Sequence, residues 1–233
     1  MRLDVYLVKN LNIKSRTKAQ ELIKQGYVLI DDKIVKKPSF IVEEEKVSLK
    51  QFDDFVSRAA YKLMYFLEET DITVSNKNAL DIGSSTGGFS EILLNNNAKS
   101  VTCVDVGTNQ LAPKIKNDKR VKVYEQTDIR DFQSQPFELV VSDVSFISLL
   151  KILEDIDRLS TNDIILLFKP QFEVGTNAKR DKNGVVKDEK AILDAMKNFE
   201  LACKDKNWRL VKKSPAKITG KEGNLEYCYH FKK

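Results

Sequence analysis

Cysteine, histidine and long apolar runs are all scarce in this sequence. Three cysteines, Cys103, Cys203 and Cys228, occur in 233 residues, and none forms a close pair. An odd number at wide spacing argues against a disulfide framework and for a reducing compartment. A single histidine, His230, excludes a His-based metal centre, and no metal is expected. No apolar stretch approaches the roughly 18 residues that a membrane-spanning helix takes. The longest, Ile164 to Phe168, is strand length. The opening MRLDVYLVKN lacks the extended apolar region of a secretion signal. A cytoplasmic protein with no membrane association is therefore expected.

What is present suits a packed α/β chain. Hydrophobic residues make up 42% and charged residues 31%, with a net charge of +5. The length fits one medium domain and one small one. A mildly basic balance fits partial contact with a polyanion, and equally fits lysine-rich solubility.

Residues 1–50 form the small unit. Leu3, Val5, Leu7, Val8 and Leu11 predict a short helix. Ser15 is placed to cap a second helix over Arg16–Gln25, whose apolar face is Ala19, Leu22 and Ile23 and which Gly26 ends. Short strands follow at Tyr27–Ile30, Lys33–Val35 and Val47–Leu49, with a turn at Asp31-Asp32. Between Arg2 and Lys24 six basic residues face two acidic ones. Arg2, Lys14, Arg16, Lys18 and Lys24 are the candidate phosphate contacts of this unit. An ordinary solvated helix face accounts for the same pattern. The stretch SRTKAQELIKQGYVLIDDKIVKKPS resembles the small RNA-binding domain named after ribosomal protein S-four. That resemblance implies binding to structured RNA through the helix and hairpin.

Residues 51–56 predict a linker, and 57–233 a second domain. Its opening Ser57-Arg58-Ala59-Ala60-Tyr61-Lys62 begins a helix to about Thr70, with Arg58 a further candidate RNA contact. Strands are expected at Asn78–Ile82, Ser100–Asp105, Val121–Tyr124, Phe137–Ser142 and Asp163–Lys169. Helices are expected near Phe89–Asn95, Leu111–Asn117, Ser148–Leu159 and Asp188–Lys206. This alternation predicts an α/β, Rossmann-like, doubly wound and mostly parallel sheet. It follows the small N-terminal α+β domain. Two last strands, Trp208–Ser214 and Leu225–Phe231, predict a hairpin at one edge.

The segment Asp81-Ile82-Gly83-Ser84-Ser85-Thr86-Gly87-Gly88-Phe89 ends the first strand and opens a helix. Its glycines allow close backbone approach, and the helix start offers free N–H groups. Asp81 disfavours a pyrophosphate there. It suits a ligand carrying an ammonium beside a carboxylate, as the methionine part of S-adenosyl-L-methionine does. Asp105, about 24 residues on, ends the second strand where ribose hydroxyls are bound in such folds. Asp128, after the third strand, is placed for an adenine edge. Asp81, Gly83, Ser84, Ser85, Gly87, Gly88, Phe89, Asp105, Asp128 and Asp143 are the candidate cofactor residues. A strand-end carboxylate also serves commonly as a helix cap.

Lys62, Asp143, Lys169 and Glu226 are the ionisable residues that this fold would gather at one edge of the sheet. A lysine after Ile164-Ile165-Leu166-Leu167-Phe168 is partly desolvated, which disfavours its charged form, and Lys62 adds to this. Asp143 and Glu226 oppose the effect but fix the ammonium. Such a lysine can accept the proton of a ribose 2′-hydroxyl. After it, the segment from Glu173 to Asp188 carries Lys179, Arg180 and Lys182, which are candidate phosphate contacts or residues of a solvated loop.

Taken in order, SRAAYKL, LDIGSSTGGFSEILL, VDVGTNQL, SDVSFISL, FKPQFEVG and GKEGNLEY resemble the TlyA family of ribosomal RNA 2′-O-methyltransferases, long described as haemolysins. The resemblance covers nearly the whole chain. It implies an FtsJ-like catalytic domain with a Lys-Asp-Lys-Glu tetrad at Lys62, Asp143, Lys169 and Glu226, and methylation of a cytidine ribose. The N-terminus is short, with nothing ahead of the RNA-binding domain, and resembles the family's shorter type, implied to act on large-subunit RNA only. Two other readings compete. One is a non-catalytic RNA-binding or assembly factor, which the tetrad and glycine turn disfavour. The other is a cytolysin, for which no amphipathic or membrane segment speaks.

Overall fold

The computed structural model describes residues 1–50 and 55–233. They form two compact units, Met1–Asp54 and Phe55–Lys233.

In the first unit, helix α1 (Leu3–Asn10) and helix α2 (Arg16–Gln25) precede three short strands. These are β1 (Val28–Ile30), β2 (Lys33–Ile34) and β3 (Val47–Leu49), an antiparallel sheet in the order β2-β1-β3. The Ser15 hydroxyl accepts the Lys18 N–H at 3.2 Å, and Gly26 ends α2 at φ +82°. Losing such a cap costs about 1 kcal/mol. Leu3, Leu7, Ala19, Leu22, Ile23, Val28, Ile30 and Val42 form the core.

The second unit begins with α3 (Ala59–Glu68). It continues through β4 (Asn78–Ile82), α4 (Gly88–Asn95), β5 (Ser100–Val104), α5 (Pro113–Lys116) and β6 (Val121–Tyr124). Then come β7 (Phe137–Ser142), a 3-10 turn at Leu149–Ile152, α6 (Leu153–Arg158), β8 (Ser160–Phe168) and α7 (Pro170–Glu173). The chain ends with α8 (Glu189–Asp205), β9 (Arg209–Pro215) and β10 (Tyr227–Lys232). The sheet order is β6-β5-β4-β7-β8-β10-β9. It is parallel from β6 to β8, whereas β10 runs antiparallel to β8 and β9. The expected edge hairpin is there.

Apolar residues cover both sheet faces, one layer holding Phe168, Phe199, Tyr229 and Phe231, the other Leu63, Phe66, Phe89 and Leu93. Strands so buried read as unbroken apolar runs, which is why β4, β5, β7 and β8 were visible in the sequence. The order reverses between β4 and β7, and α/β sheets bind ligands beyond the strand C-termini at such a point.

Several boundaries differ from expectation. The helix expected over Leu111–Asn117 is the four-residue α5, because Pro113 sets its first turn. That expected over Ser148–Leu159 divides into a 3-10 turn and α6, with Glu173 accepting both the Ser148 hydroxyl (2.5 Å) and the Leu149 N–H (2.8 Å). β8 starts at Ser160, and its last residue is Phe168, so Lys169 heads α7. β10 starts at Tyr227, leaving Glu226 just before it. Of the expected linker, residues 51–54 lie outside the described residues. Phe55 meets Tyr61 edge-on, with ring centroids 4.9 Å apart, and the Val56 N–H donates to Glu91 at 2.7 Å. Among the described residues no helix is long and apolar enough to cross a membrane.

Candidate active site

The C-terminal ends of β4, β5, β7 and β8 carry Asp81, Asp105, Asp143 and Lys169 to one edge of the sheet. Between β4 and α4 the chain turns through Gly83 at φ +75° and Gly87 at φ +92°. At Gly83 a Cβ would lie 2.9 Å from Val144 Cγ1 and 3.2 Å from its Cα. At Gly88 it would lie 2.2 Å from Ser57 Oγ, where α3 and α4 approach. Close approach calls for glycine at both places, and at Gly83 the left-handed turn does so as well.

Two cavities open along this edge. The larger, about 340 Å³, is lined by Ile82, Val104, Asp105, Asp128, Ile129 and Ile152 among others. The smaller, about 190 Å³, is lined by Asp81, Ser84, Gly88, Phe89 and Lys169 among others. Gly83, Ser85, Asp143 and Ser145 line both, so the cavities meet there.

Asp81 is almost fully buried. One oxygen, Oδ2, accepts the Ser90 N–H at 2.9 Å and the Ser90 hydroxyl at 2.6 Å. The other, Oδ1, is buried with no partner. Burial pushes this carboxyl up to about 7 against the Ser90 hydrogen bonds, and the charges of Asp143 and Asp105 add to the rise. A bare acceptor on a dry carboxyl is a place for a cationic donor. Asp105 accepts the Ser85 and Gly107 N–H groups, each at 2.7 Å, one per oxygen. Each oxygen keeps a further lone pair for a hydroxyl. Asp128 stands at the larger cavity but is held by Arg130, with Nη2 at 2.6 Å from Oδ2, which draws its pKa below the usual carboxylate range.

Lys62, Asp143, Lys169 and Glu226 form two ion pairs. Lys169 Nζ lies 2.6 Å from Asp143 Oδ1, and it donates to the Asp143 carbonyl (3.2 Å) and to Ser145 Oγ (2.8 Å). Lys62 Nζ lies 2.5 Å from Glu226 Oε2, and Gln171 donates to Glu226 Oε1 at 3.2 Å. Both lysines and Glu226 are buried. Burial pushes the nearby Cys228 thiol up to about 12, with Lys62 opposing and Asp143 and Glu226 adding. Gly220 makes room for Glu226, since a Cβ there would lie 2.6 Å from Oε1.

The basic candidates fall into separate groups. In the first unit Arg2 and Arg16 converge on Asp4, a fully buried carboxylate. Arg2 binds both its oxygens at 3.0 Å, and Arg16 Nε and Gln20 Nε2 reach Oδ2 at 2.9 and 2.8 Å. Arg2 first, then Gln20 and Arg16, hold this carboxyl well below the usual range. Lys14 and Lys24 are exposed and Lys18 half-buried on the same unit. In the second unit Arg58 donates to the Thr219 carbonyl at 3.4 Å. Arg180 donates to the Gln171 and Gly175 carbonyls at 3.1 and 2.9 Å, while Lys179 and Lys182 are exposed. Their segment is tied down: Arg180 bridges to Val186, whose N–H donates to Asn224 at 3.0 Å.

Sequence reasoning missed Ser90, Ser145, Gln171, Asn224 and Asp4, whose roles depend on partners distant in the chain. Phe146 was also missed. It is 91% exposed at φ +65°, its ring 5.2 Å from that of Phe172. A large, bare aromatic in a left-handed conformation is strained, and its place in SDVSF beside Asp143 was the available signal.

The model of the FtsJ-like methyltransferase family matches residues 55–233, and that of the S4 domain matches residues 1–48. The 23S rRNA (cytidine-2′-O)-methyltransferase TlyA of Campylobacter jejuni is 48% identical, over 99% of each chain. The 16S/23S rRNA (cytidine-2′-O)-methyltransferase TlyA of Mycobacterium tuberculosis is 37% identical, over 97% of this chain and 87% of that one. A solved structure from Streptococcus thermophilus, named a hemolysin, superposes with a TM-score of 0.75 at 31% identity, covering 100% of this chain and 88% of that one. With both domain models matched and such relatives aligned over nearly its whole length, the chain belongs to the TlyA family of FtsJ-like methyltransferases.

Proposed function

We propose that this enzyme transfers the methyl group of S-adenosyl-L-methionine to the 2′-hydroxyl of a cytidine ribose in large-subunit ribosomal RNA. The observation that carries the proposal is the meeting of two cavities at Asp143 and Ser145, with Lys169 Nζ 2.8 Å from Ser145 Oγ. The names of the relatives support ribosomal RNA, cytidine and the large subunit.

The residues present fit the cofactor. The larger cavity suits adenosine: its aliphatic walls, Ile82, Val104, Ile129 and Ile152, suit a base, Asp105 has lone pairs for ribose hydroxyls, and Asp128 stands where an exocyclic amine would come. The smaller cavity suits the amino-acid end, with the bare Asp81 Oδ1 for its ammonium and the Gly87-Gly88 turn for its carboxylate. Bound there, it would supply a methyl group already activated on a sulfonium.

The chain's own residues then have three tasks. Asp143 holds Lys169 at the junction, and Lys169 removes the proton of the ribose hydroxyl. Lys62 and Glu226, closed on each other, steady the segment after Lys169 through the Gln171–Glu226 hydrogen bond. Phe146 offers an exposed ring to a base turned out of its stack. The first unit contributes RNA affinity through Arg2, Arg16 and the neighbouring lysines.

The test uses purified protein, methyl-labelled cofactor and large ribosomal subunits from cells lacking the enzyme. Wild type incorporates label into RNA, and Lys169→Ala loses roughly 10²–10⁴-fold in rate while still binding cofactor. Equal rates for the two would show that Lys169 is not the base. No incorporation by wild type would favour a non-catalytic assembly factor.

A further inference from the structure

We propose that the Ser145 hydroxyl relays the proton of the target ribose to Lys169. The inference rests on the methyl-transfer reading above, and it starts from the partners of one nitrogen. A charged lysine has three N–H donors and no acceptor. Lys169 Nζ has three oxygen neighbours: Asp143 Oδ1 at 2.6 Å, the Asp143 carbonyl at 3.2 Å and Ser145 Oγ at 2.8 Å. Two of these are hydrogen bonds, to the Asp143 carbonyl and to Ser145 Oγ, and the Asp143 carboxylate is an ion-pair neighbour.

The three partners are not equivalent. Both Asp143 oxygens belong to a residue set directly behind β7. Ser145 is exposed, lines both cavities and carries a hydroxyl free to rotate. When Lys169 is neutral, one N–H group stays on the Asp143 carbonyl, and the lone pair turns to Ser145. A serine hydroxyl donates and accepts at once. It can therefore give its proton to Nζ while taking one from the ribose. Lys62 and Glu226 offer no rival path, because they are closed on each other at 2.5 Å with Gln171 on the second Glu226 oxygen.

The step balances as follows. The Ser145 proton passes to Lys169 Nζ, and the 2′-hydroxyl proton passes to Ser145 Oγ. The ribose oxygen forms its bond to the methyl carbon as the methyl–sulfur bond breaks, its electron pair staying on sulfur. Ser145 is regenerated, Lys169 ends as an ammonium, and it returns the proton to water before the next turnover.

The experiment compares wild type, Ser145→Ala and Ser145→Thr in single-turnover methylation of large ribosomal subunits from cells lacking the enzyme. Cofactor affinity is followed by calorimetry and folding by thermal melting. Ser145→Ala is expected to lose roughly 10²-fold in rate, with KM for subunits, cofactor affinity and melting unchanged, and Ser145→Thr to recover most of the rate. In mixtures of light and heavy water the wild-type rate should bow downward with deuterium content, as two protons in flight require. Ser145→Ala at the wild-type rate, or a straight wild-type plot, overturns the relay. If Ser145→Ala fails to fold, the wild-type plot alone decides. A wild type that methylates no ribose removes the underlying reading as well, whereas Ser145→Ala at full rate beside an inactive Lys169→Ala removes only the relay.

Discussion

Asp81 has one oxygen bound twice by Ser90 and the other bare in a dry pocket. Burial raises this carboxyl to about 7, so near neutrality part of the population is protonated. An ammonium ligand needs the carboxylate. Below pH 7 a proton must leave before the ligand binds, and affinity falls by up to ~10-fold per pH unit. Calorimetry should thus show S-adenosylmethionine binding strengthening from pH 6 to 7.5, and Asp81→Asn should weaken it and flatten the dependence. A flat wild-type profile would remove Asp81 from the ammonium site. Lys62 makes a different prediction. Removing one partner of a buried ion pair strands the other, at a cost of about 3–5 kcal/mol. Lys62→Ala should lower stability in chemical denaturation by that order, and the double variant Lys62→Met with Glu226→Leu should recover much of it. Residues at the ends of apolar strands were legible in the sequence, because a charge after Ala-Leu (Asp81) or Leu-Phe (Lys169) has little choice of place. Asp4 was not. It sits in an ordinary helix start, and only Arg16 and Gln20, brought over by the helix pair, show that it is a buried anchor.

At the scale of elements, the turn from β4 into α4 is the most constrained piece of backbone. Gly83→Ala meets both a left-handed φ and the Val144 main chain. The left-handed conformation alone costs a non-glycine residue about 1–2 kcal/mol. The variant should melt lower than wild type and bind cofactor less tightly; an unchanged melt with unchanged affinity would mean that the turn tolerates a side chain. The parallel strands were legible because burial on both faces gives them continuous apolar runs. The start of β8 was hidden, since Ser160-Thr161-Asn162 is polar and its pairing to β7 is what extends it. α7 was hidden too: four residues after Lys169 carry no period, and its Glu173 shows its use only beside Ser148.

At the scale of the whole molecule, two units divide the work proposed here. Asp4 fixes Arg2 and Arg16 in the first unit while leaving both half exposed, at 43% and 56% of their side-chain surface. If both reach phosphates, Arg2→Ala with Arg16→Ala should weaken RNA binding and reduce the slope of log affinity against log salt by about 2, with cofactor affinity unchanged. A slope equal to that of wild type would place RNA elsewhere. The order of two units, the sheet and its edge hairpin were legible from alternating patterns. The joining of two cavities at Ser145 was not, because it depends on where three strand ends stop in space. A map of 2′-O-methyl groups on ribosomal RNA tests ribose methylation with Lys169 as the base. Cells with the wild-type protein, with Lys169→Ala and with none are compared. A cytidine in large-subunit RNA should be methylated with wild type and bare in the other two. Identical maps in all three, or full methylation with Lys169→Ala, would contradict this.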